Sequence, residues 1–342
     1  MTLNSNQYSD YPCISTIILT YNGSKYIASL LKSLLDQSYP RNRIEIIIVD
    51  NASTDKTLNI VQKNYPSVKI VPLEKNTGFA AGNNQGLLHA SHDLLVFLNQ
   101  DIICHPGFLQ SMVNMMEKDK TLAACNPNII TPKAENFGDT SKKLFPKSLY
   151  LYDLAPFGYG QNRVINGQKF YHSKLLSGCA FMIRRETVSK LGYLFDDQLW
   201  MYAEDTDLSL RIHNMARHIC AIRDAVVYHL HPSNMDLVKG RILTAAGAIK
   251  NRVFAFYKNM SGLEFFFFFP FLFFGGIFKI LAFPLANSKK IIYFLPFGFF
   301  SMVCMLGALL QLPRFEAKKR RIMKQRQIPD FALLKLILKR QI

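Results

Sequence analysis

The first hundred residues alternate apolar runs of strand length with stretches of helical spacing. Residues 13–20, CISTIILT, form the first strand-like run. From 24 to 38, Ile27, Leu30, Leu31, Leu34 and Leu35 recur at helical spacing, and Pro40 follows the end. IEIIIV at 44–49 is a second strand leading into Asp50. Residues 54–64 follow as a helix, with Ser53 or Thr54 as N-cap, and VKIVP at 68–72 is a third short strand. A helix over about 79–91 and the unbroken run LLVFL at 94–98 complete this part. A run without polar alternation belongs to a strand covered on both faces. The pattern predicts an α/β fold with a mostly parallel central sheet and helices on both sides.

Beyond residue 100 the periodicity weakens. Residues 133–172, rich in Lys, Tyr, Gly and Pro, read as a long irregular segment crossing the open end of the sheet. LLSGCAFMIRRE (175–186) reads as a strand, 199–215 as a helix and AVVYHLH (225–231) as a late strand. At residue 260 the composition shifts. The stretch 263–286 holds one acidic and one basic residue, 291–312 holds none, and RFEAKKRRIMKQRQ (314–327) is densely basic. Each apolar stretch reaches the roughly 20 residues that cross a bilayer. Eight Phe between 265 and 274 exceed what one core helix normally buries, which favours membrane association over two buried helices. Pro270, Gly275, Gly276, Pro284 and Pro296 suit broken or in-plane helices as readily as a hairpin. The expected division is a flexible N-terminus (1–12), an α/β domain (13–258) and a membrane-associated helical region with a basic tail (259–342).

The net charge of +17 points to anionic partners. No nucleic-acid-binding signature accompanies it and much of it lies near the C-terminus, so a membrane surface ranks above nucleic acid. The six cysteines are scattered, without CxxC, which argues against a disulfide framework or zinc site and suits a reducing compartment. The polar start MTLNSNQYSDYP lacks a signal pattern, and a cytoplasmic start is expected.

The candidate chemistry sits at the strand ends. Sheets of this kind bind ligands beyond the carboxyl ends of their strands, so Asp50 and Asp101 are expected to converge on one crevice. A carboxylate there needs a partner. Asp50 suits two hydrogen bonds from a ribose or base; the plainer reading is that Asp50, Ser53 and Asp55 start the next helix. NTGFAAGNNQG (76–86) packs Gly78, Gly82 and Gly86 into nine positions, which allows close backbone approach to a ligand before a helix N-terminus that favours an anion. Asp101 suits a hard divalent cation facing a diphosphate, against a capping role for a helix near Pro106. WMYAEDTDLSLR sets Glu204, Asp205 and Asp207 beside Trp200, the chain's only Trp. Acids next to aromatics are partly desolvated, which tunes a carboxylate towards general-base work; the alternative is a solvated acidic first turn.

Taken together, ILTYNGSKYIASLLKSLLDQSYP (18–40), IIVDNASTDKT (47–57), NTGFAAGNNQG and FLNQD (97–101) resemble the nucleotide-sugar-binding half of the family 2 glycosyltransferases, which have a GT-A fold. SGCAFMIRRE (177–186) and GYLFDDQLWMYAEDTDLSLRI (192–212) resemble the acceptor half. The resemblance covers residues 13–230 in the family's order and is nearest the rhamnosyltransferase-like branch, which often ends in an apolar, basic tail. It implies an inverting enzyme on the cytoplasmic face of the cell membrane. Such an enzyme moves a sugar from dTDP-rhamnose or a UDP-sugar to a lipid-linked or cell-surface saccharide. Thr20, Asn22, Asp50, Asn51, Gly78, Asn84 and Asn99 would lie beside the donor, and Trp200 and Glu204 at the acceptor. Asp205 would be the base, and Asp101 with His229 would hold Mg or Mn; His231 competes with His229. The family commonly has two acids, or Asn-Pro-Asp, where this chain has Asn99-Gln100-Asp101, so one strong ligand remains. Two rival readings are a nucleotidyltransferase, whose basic Gly-rich loop LTYNGSKY does not match well, and an inactive membrane scaffold, which the retained Asp50, Asp101 and Asp205 oppose.

Overall fold

A computed structural model of the protein describes residues 11–131, 149–155, 158–164, 169–230, 238–270, 272 and 294–338. The four leading runs are strands as expected: β1 (Ile14–Thr20), β2 (Ile44–Asp50), β3 (Lys69–Pro72) and β4 (Leu94–Asn99), parallel in the order β3-β2-β1-β4. Leu94 to Leu98 are all at most 3% exposed, as a strand covered on both faces requires. Alternate residues serve opposite faces. Ile14, Ile18, Ile48, Val96 and Leu98 pack with Leu30, Leu31 and Leu34 of α1 (Ile27–Leu35) and Phe108, Met112 and Met116 of α4 (Phe108–Lys118). Ile17, Ile47, Val49, Leu95 and Phe97 form the other face with Leu208 and Ile212 of α6 (Glu204–Asn214). Between the strands lie α2 (Thr57–Asn64) and α3 (Gly78–Leu88).

The second half of the sheet departs from the expectation of a mostly parallel arrangement. β5 (Ile102–Cys104), β6 (Leu122–Ile130), β9 (Phe170–Ser173), β10 (Ala180–Arg184) and β11 (His218–His229) join it, and the order continues β4-β10-β6-β11-β5, with β9 also on β11. β10 runs antiparallel to β4 and β6, so the sheet is mixed. This reversal puts the residues before β10 at the carboxyl end of β4, since Ala180 pairs with Leu98. The irregular segment expected at 133–172 contains the hairpin β7 (Leu149–Ala155) and β8 (Gly158–Val164) as well as β9; residues 132–148 lie outside the described residues. The expected strand 175–186 is short because α5 (Arg185–Leu191) begins at once. All six cysteines are free thiols. The start is tied down from residue 11, where Tyr11 packs edge-on against Tyr39, whose hydroxyl bonds the Pro12 carbonyl.

The boundary expected after residue 258 lies at the end of α7 (Val238–Asn259). The helix over 262–270 (α8), α9 (Phe294–Leu309), α10 (Glu316–Gln325) and α11 (Ala332–Leu338) complete the described chain. One apolar cluster joins Leu175, Leu199 and Leu210 to Phe254, Phe256, Phe268, Phe315, Leu333 and Ile337. The C-terminal region is therefore built onto the α/β domain rather than appended to it. Ser261 and Glu264 exchange capping bonds at the start of α8, and Arg326 clamps both Glu264 oxygens at 2.6 and 2.9 Å. Among the described residues no helix is long and apolar enough to cross a membrane; 271 and 273–293, within the two apolar stretches, lie outside the described residues.

Candidate active site

The carboxyl ends of β1, β2 and β4 meet at one edge: Thr20 pairs with Asp50, and Leu19 with Asn99. Asp50 is 2% exposed. One of its oxygens accepts from Ser53 N–H at 3.1 Å, so part of the plainer reading is realised. Its Oδ1 is buried without a hydrogen-bond partner. Such a lone pair is costly in a dry site unless a ligand donor meets it.

Several residues expected beside the donor make hydrogen bonds that frame the crevice. Thr20 donates to Gln100 Oε1 at 2.7 Å, and Gln100 also grips both main-chain groups of Tyr21. Asn22 laces the first loop to the second: its N–H bonds Ser53 Oγ and its Oδ1 accepts from Thr54 N–H, both at 2.9 Å. Asp55 extends this lacing to Ser24; burial opposes its charge, but hydrogen bonds from Thr57 and Ser24 outweigh it and hold the carboxyl at about 2. Asn51 accepts from Thr77 and donates to Asn76 Oδ1 and the Gly78 carbonyl, which spends its amide on the 76–78 turn. Asn84 bonds Phe195 through both amide ends and Asp197, across the crevice wall. The half-buried Asn99 bonds Cys179 O through its main-chain N–H. The glycines also answer to packing. A Cβ on Gly82 would meet Leu19 at 2.5 Å, one on Gly86 Ile17 at 2.3 Å, and one on Gly78, at φ +83°, the Trp200 ring at 2.6 Å. Two N–H groups in the first turn of α3 are taken inside the protein, Gly78 by Asn76 and Ala80 by the Trp200 carbonyl. The anion-binding end expected there is closed to that extent.

Asp101 and His229 come together. His229 Nε2 lies 3.3 Å from Asp101 Oδ2, and Leu230 N–H bonds the Asp101 carbonyl. Burial would lower the His229 pKa, but Asp101 and Cys179 outweigh it and raise it to about 10, so a cation bound here must displace the imidazole proton. His231 lies outside the described residues. These two groups fit a hard or borderline divalent cation completed by diphosphate oxygens and water, the usual arrangement for Mg²⁺ at phosphates. Among the described residues no cluster of three or more His, Cys, Asp or Glu side chains could hold an ion.

The helix expected at 199–215 starts at Glu204, because the residues before it are left-handed. Trp200 (φ 51°), Tyr202 (φ 73°) and Ala203 (φ 65°) carry side chains where glycine is normal. Each costs on the order of 1–3 kcal/mol, and such strain persists where surroundings impose it. The Trp200 ring is left 50% exposed over Gly78, with Met201 and Tyr202 also exposed at the crevice mouth. Asp205 follows. Its Oδ2 accepts from Gly178 N–H at 3.2 Å and its Oδ1 from Thr206 N–H at 2.6 Å. Glu204 is buried, and its Oε2 has no hydrogen-bond partner. Burial pushes Glu204 well above the usual carboxyl range, and the neighbouring Asp205 charge adds to this. Burial also raises Asp205, but Gly178, Thr206 and Arg252 oppose the rise. Burial thus raises both carboxyls, Glu204 the more, and unequal proton affinities of this kind set acid and base roles apart.

Sequence reasoning gave no separate role to Ser177-Gly178-Cys179. This turn joins the two halves: Gly178 holds Asp205, the Cys179 carbonyl holds Asn99, the Cys179 thiol faces His229, and Asn126 Oδ1 accepts from Ser177 N–H at 2.9 Å. A Cβ on Gly178 would come 3.4 Å from both Asp205 Oδ2 and Glu204 Oε1. Three small residues before a buried strand were the available signal.

Comparison with known proteins gives the same picture. The family described as "Glycosyl transferase family 2" matches residues 15–192, just over half of the chain. A Bacillus subtilis protein named "Probable glycosyltransferase YdaM" is 25% identical over 309 residues, covering 86% of this chain and 70% of its own. A Methanococcus voltae dolichyl N-acetyl-alpha-D-glucosaminyl phosphate 3-beta-D-2,3-diacetamido-2,3-dideoxy-beta-D-glucuronosyltransferase is 26% identical over 195 residues, 54% of this chain and 60% of its own. Among solved structures, a mannosyltransferase from Pyrobaculum calidifontis in complex with GDP-Man and Mn²⁺ superposes with a TM-score of 0.54 at 18% identity, covering 89% of this chain and 88% of that one. This last likeness is one of fold.

Proposed function

Since the chain belongs to glycosyl transferase family 2, we propose that it is an inverting, nucleotide-sugar-dependent enzyme whose base is Asp205. The observation that carries this reading is the Glu204–Asp205 pair, unequal in proton affinity and tied through Gly178 and Cys179 to the strand edge that bears Asp101 and His229. In a single displacement the acceptor oxygen attacks the anomeric carbon, its proton passes to Asp205, and the bond to the diphosphate breaks with its electron pair leaving on the nucleoside diphosphate. Asp50 Oδ1 receives a donor group of the base or ribose. Neutral Glu204 donates a hydrogen bond that orients the acceptor, and the exposed Trp200 face stacks on a sugar ring. Asp101 and His229 would hold Mg²⁺ or Mn²⁺, which supplies charge neutralisation at the diphosphate.

The first donor to assay is dTDP-rhamnose, on the motif resemblance, followed by UDP-sugars, with release of nucleoside diphosphate as readout and membrane extract as acceptor. Metal dependence is tested in the same assay. Asp101→Ala is expected to weaken Mn²⁺-dependent nucleoside-diphosphate binding by at least the roughly 10–100-fold typical of residues that merely orient a metal ligand. Full wild-type activity in excess chelator sinks this assignment. Failure of every nucleotide sugar to react sinks the enzyme reading.

The acceptor is proposed to be lipid-linked, met at the cytoplasmic face of the membrane. What supports this is the outer face of the C-terminal helices. Phe265, Phe268, Met305 and Ala308 face inward, while Leu263, Phe266 (69% exposed), Phe267, Val303, Leu306 and Leu310 face outward. An apolar outer face beside the basic α10 suits helices lying in the interfacial plane. Lys and Arg there contribute about 1 kcal/mol each near anionic headgroups. Full-length protein is expected to float with phosphatidylglycerol vesicles, and F266D/F267D to float markedly less. Equal flotation by both proteins removes this support.

A further inference from the structure

The turn before Asp205 is held from outside. Asn251, on α7 and 9% exposed, directs Nδ2 at the carbonyls of Leu199 (2.5 Å), Met201 (3.0 Å) and Tyr202 (3.1 Å). The intervening Trp200 carbonyl is taken by Ala80 N–H at 3.0 Å. Four consecutive carbonyls therefore converge on two donors, one from α7 and one from α3. Within the turn itself Leu199 N–H bonds Asp196 O, Trp200 N–H bonds Asp197 O and Met201 N–H bonds Leu199 O. These bonds stop short of Tyr202 and Ala203, whose left-handed conformation sets where α6 starts and hence where Asp205 points.

We propose that Asn251 is a positioning residue for sugar transfer, its amide holding the 199–203 turn so that Trp200 and Asp205 face the acceptor. The proposal rests on the glycosyl-transfer reading above. Asn251 does not itself reach the reacting groups. It acts on them as a hub, because one NH₂ group with two hydrogens is shared among the carbonyls of Leu199, Met201 and Tyr202. The helix carrying it is locked beside the turn by Lys258, seven residues on, which bonds Asp196 at 2.5 Å and Asp207 at 2.9 Å. The α7 helix thus reaches the turn before Asp205 directly through Asn251.

Trp200, the sole Trp, gives a readout that does not depend on activity. The full-length chain is compared with Asn251→Ser, which keeps one donor, Asn251→Ala, which keeps none, and Asn251→Asp, which keeps the shape but offers acceptors to carbonyls. Acrylamide quenching of Trp200 is expected to rise in the order wild type, Ser, then Ala and Asp, and kcat for transfer to fall in the same order. For Ala the loss is about tenfold or more, since small misplacements at a reacting centre reach about 10²-fold. The KM for the nucleotide sugar is expected to stay near the wild-type value, because the donor side is framed by other residues. If the Asp variant does not fold, the Ser and Ala variants carry the comparison. Lowered thermal midpoints with unchanged Trp200 quenching and unchanged kcat would make Asn251 merely structural and overturn the proposal. Altered quenching with wild-type kcat overturns its catalytic part. Absence of any transfer by wild type overturns the enzyme reading instead, and unchanged quenching still decides against Asn251.

Discussion

Asp205→Asn is expected to lower sugar transfer by about 10²–10⁴-fold, the usual contribution of a general base, while nucleoside-diphosphate binding stays intact. The amide keeps the side-chain shape but has one oxygen, so it can accept from Gly178 or from Thr206, which meet different oxygens of the carboxylate, and not from both. What it loses is the ability to take a proton. Removing the Asp205 charge also relieves Glu204, whose pKa that charge helps to raise, so the variant is expected to titrate Glu204 at lower pH. In the wild type the acid limb of the pH–rate profile should lie above the ordinary aspartate range, because burial raises Asp205 and the base works only when ionised. Calorimetry with the nucleoside diphosphate and steady-state kinetics separate binding from turnover. More than about a tenth of wild-type activity in the variant excludes Asp205 as the base.

Lys258→Met is expected to destabilise the chain by roughly 3–5 kcal/mol, the cost of leaving a buried ion pair broken. Lys258 is fully buried and bridges Asp196 and Asp207, which are also buried. Met preserves length and apolar contact with Phe315 but leaves the two carboxylates to Lys318, Arg211 and Asn259. Burial would raise the Asp196 carboxyl, yet Lys258 and Lys318 outweigh it and hold it below its ordinary value. A carboxyl lowered in the folded state adds stability above its unfolded pKa and loses it as pH falls through the folded value. Wild type should therefore lose stability on acidification below about pH 4, and the variant should lose less over the same interval. Guanidinium unfolding midpoints at pH 7 and pH 3 measure both effects. Equal midpoints for the two proteins at pH 7 exclude a stabilising role for the bridge.

The parts of this molecule legible in its sequence are those whose cause is local. Leu94 to Leu98 announce a doubly covered strand because every residue is apolar, and the strand ends locate Asp50 and Asp101 without further information. The pairing of Asp101 with His229 was available only as a resemblance, because it is made by β5, a three-residue strand that sets Ile102 opposite His229 on β11. β6 was missed because Asn126, Pro127 and Asn128 interrupt its apolar run; Asn126 is there to hold Leu175 and Ser177, some fifty residues away. The start of α6 was misplaced because no glycine marks the left-handed turn at 200–203; the conformation is imposed by Asn251 from about fifty residues downstream. Asn51 and Asn84 look like ligand-binding amides in sequence, and only the folded chain shows that their capacity is spent on neighbouring turns.

Asp196 takes a lysine at each carboxylate oxygen, from positions 62 and 122 residues further along. A ribosome builds the chain from its start at about 5–20 residues per second, so Asp196 precedes Lys318 by roughly 6–24 s during synthesis. Through that interval the nascent chain already holds Asp50, Asp101 and Asp205, but the loop behind the acceptor turn lacks its last counter-charge. Ordering of this corner is thereby deferred until Lys318 has been added. A growing chain is expected to bind nucleotide sugar before it can transfer it, and chains released early should be left inert rather than prematurely active.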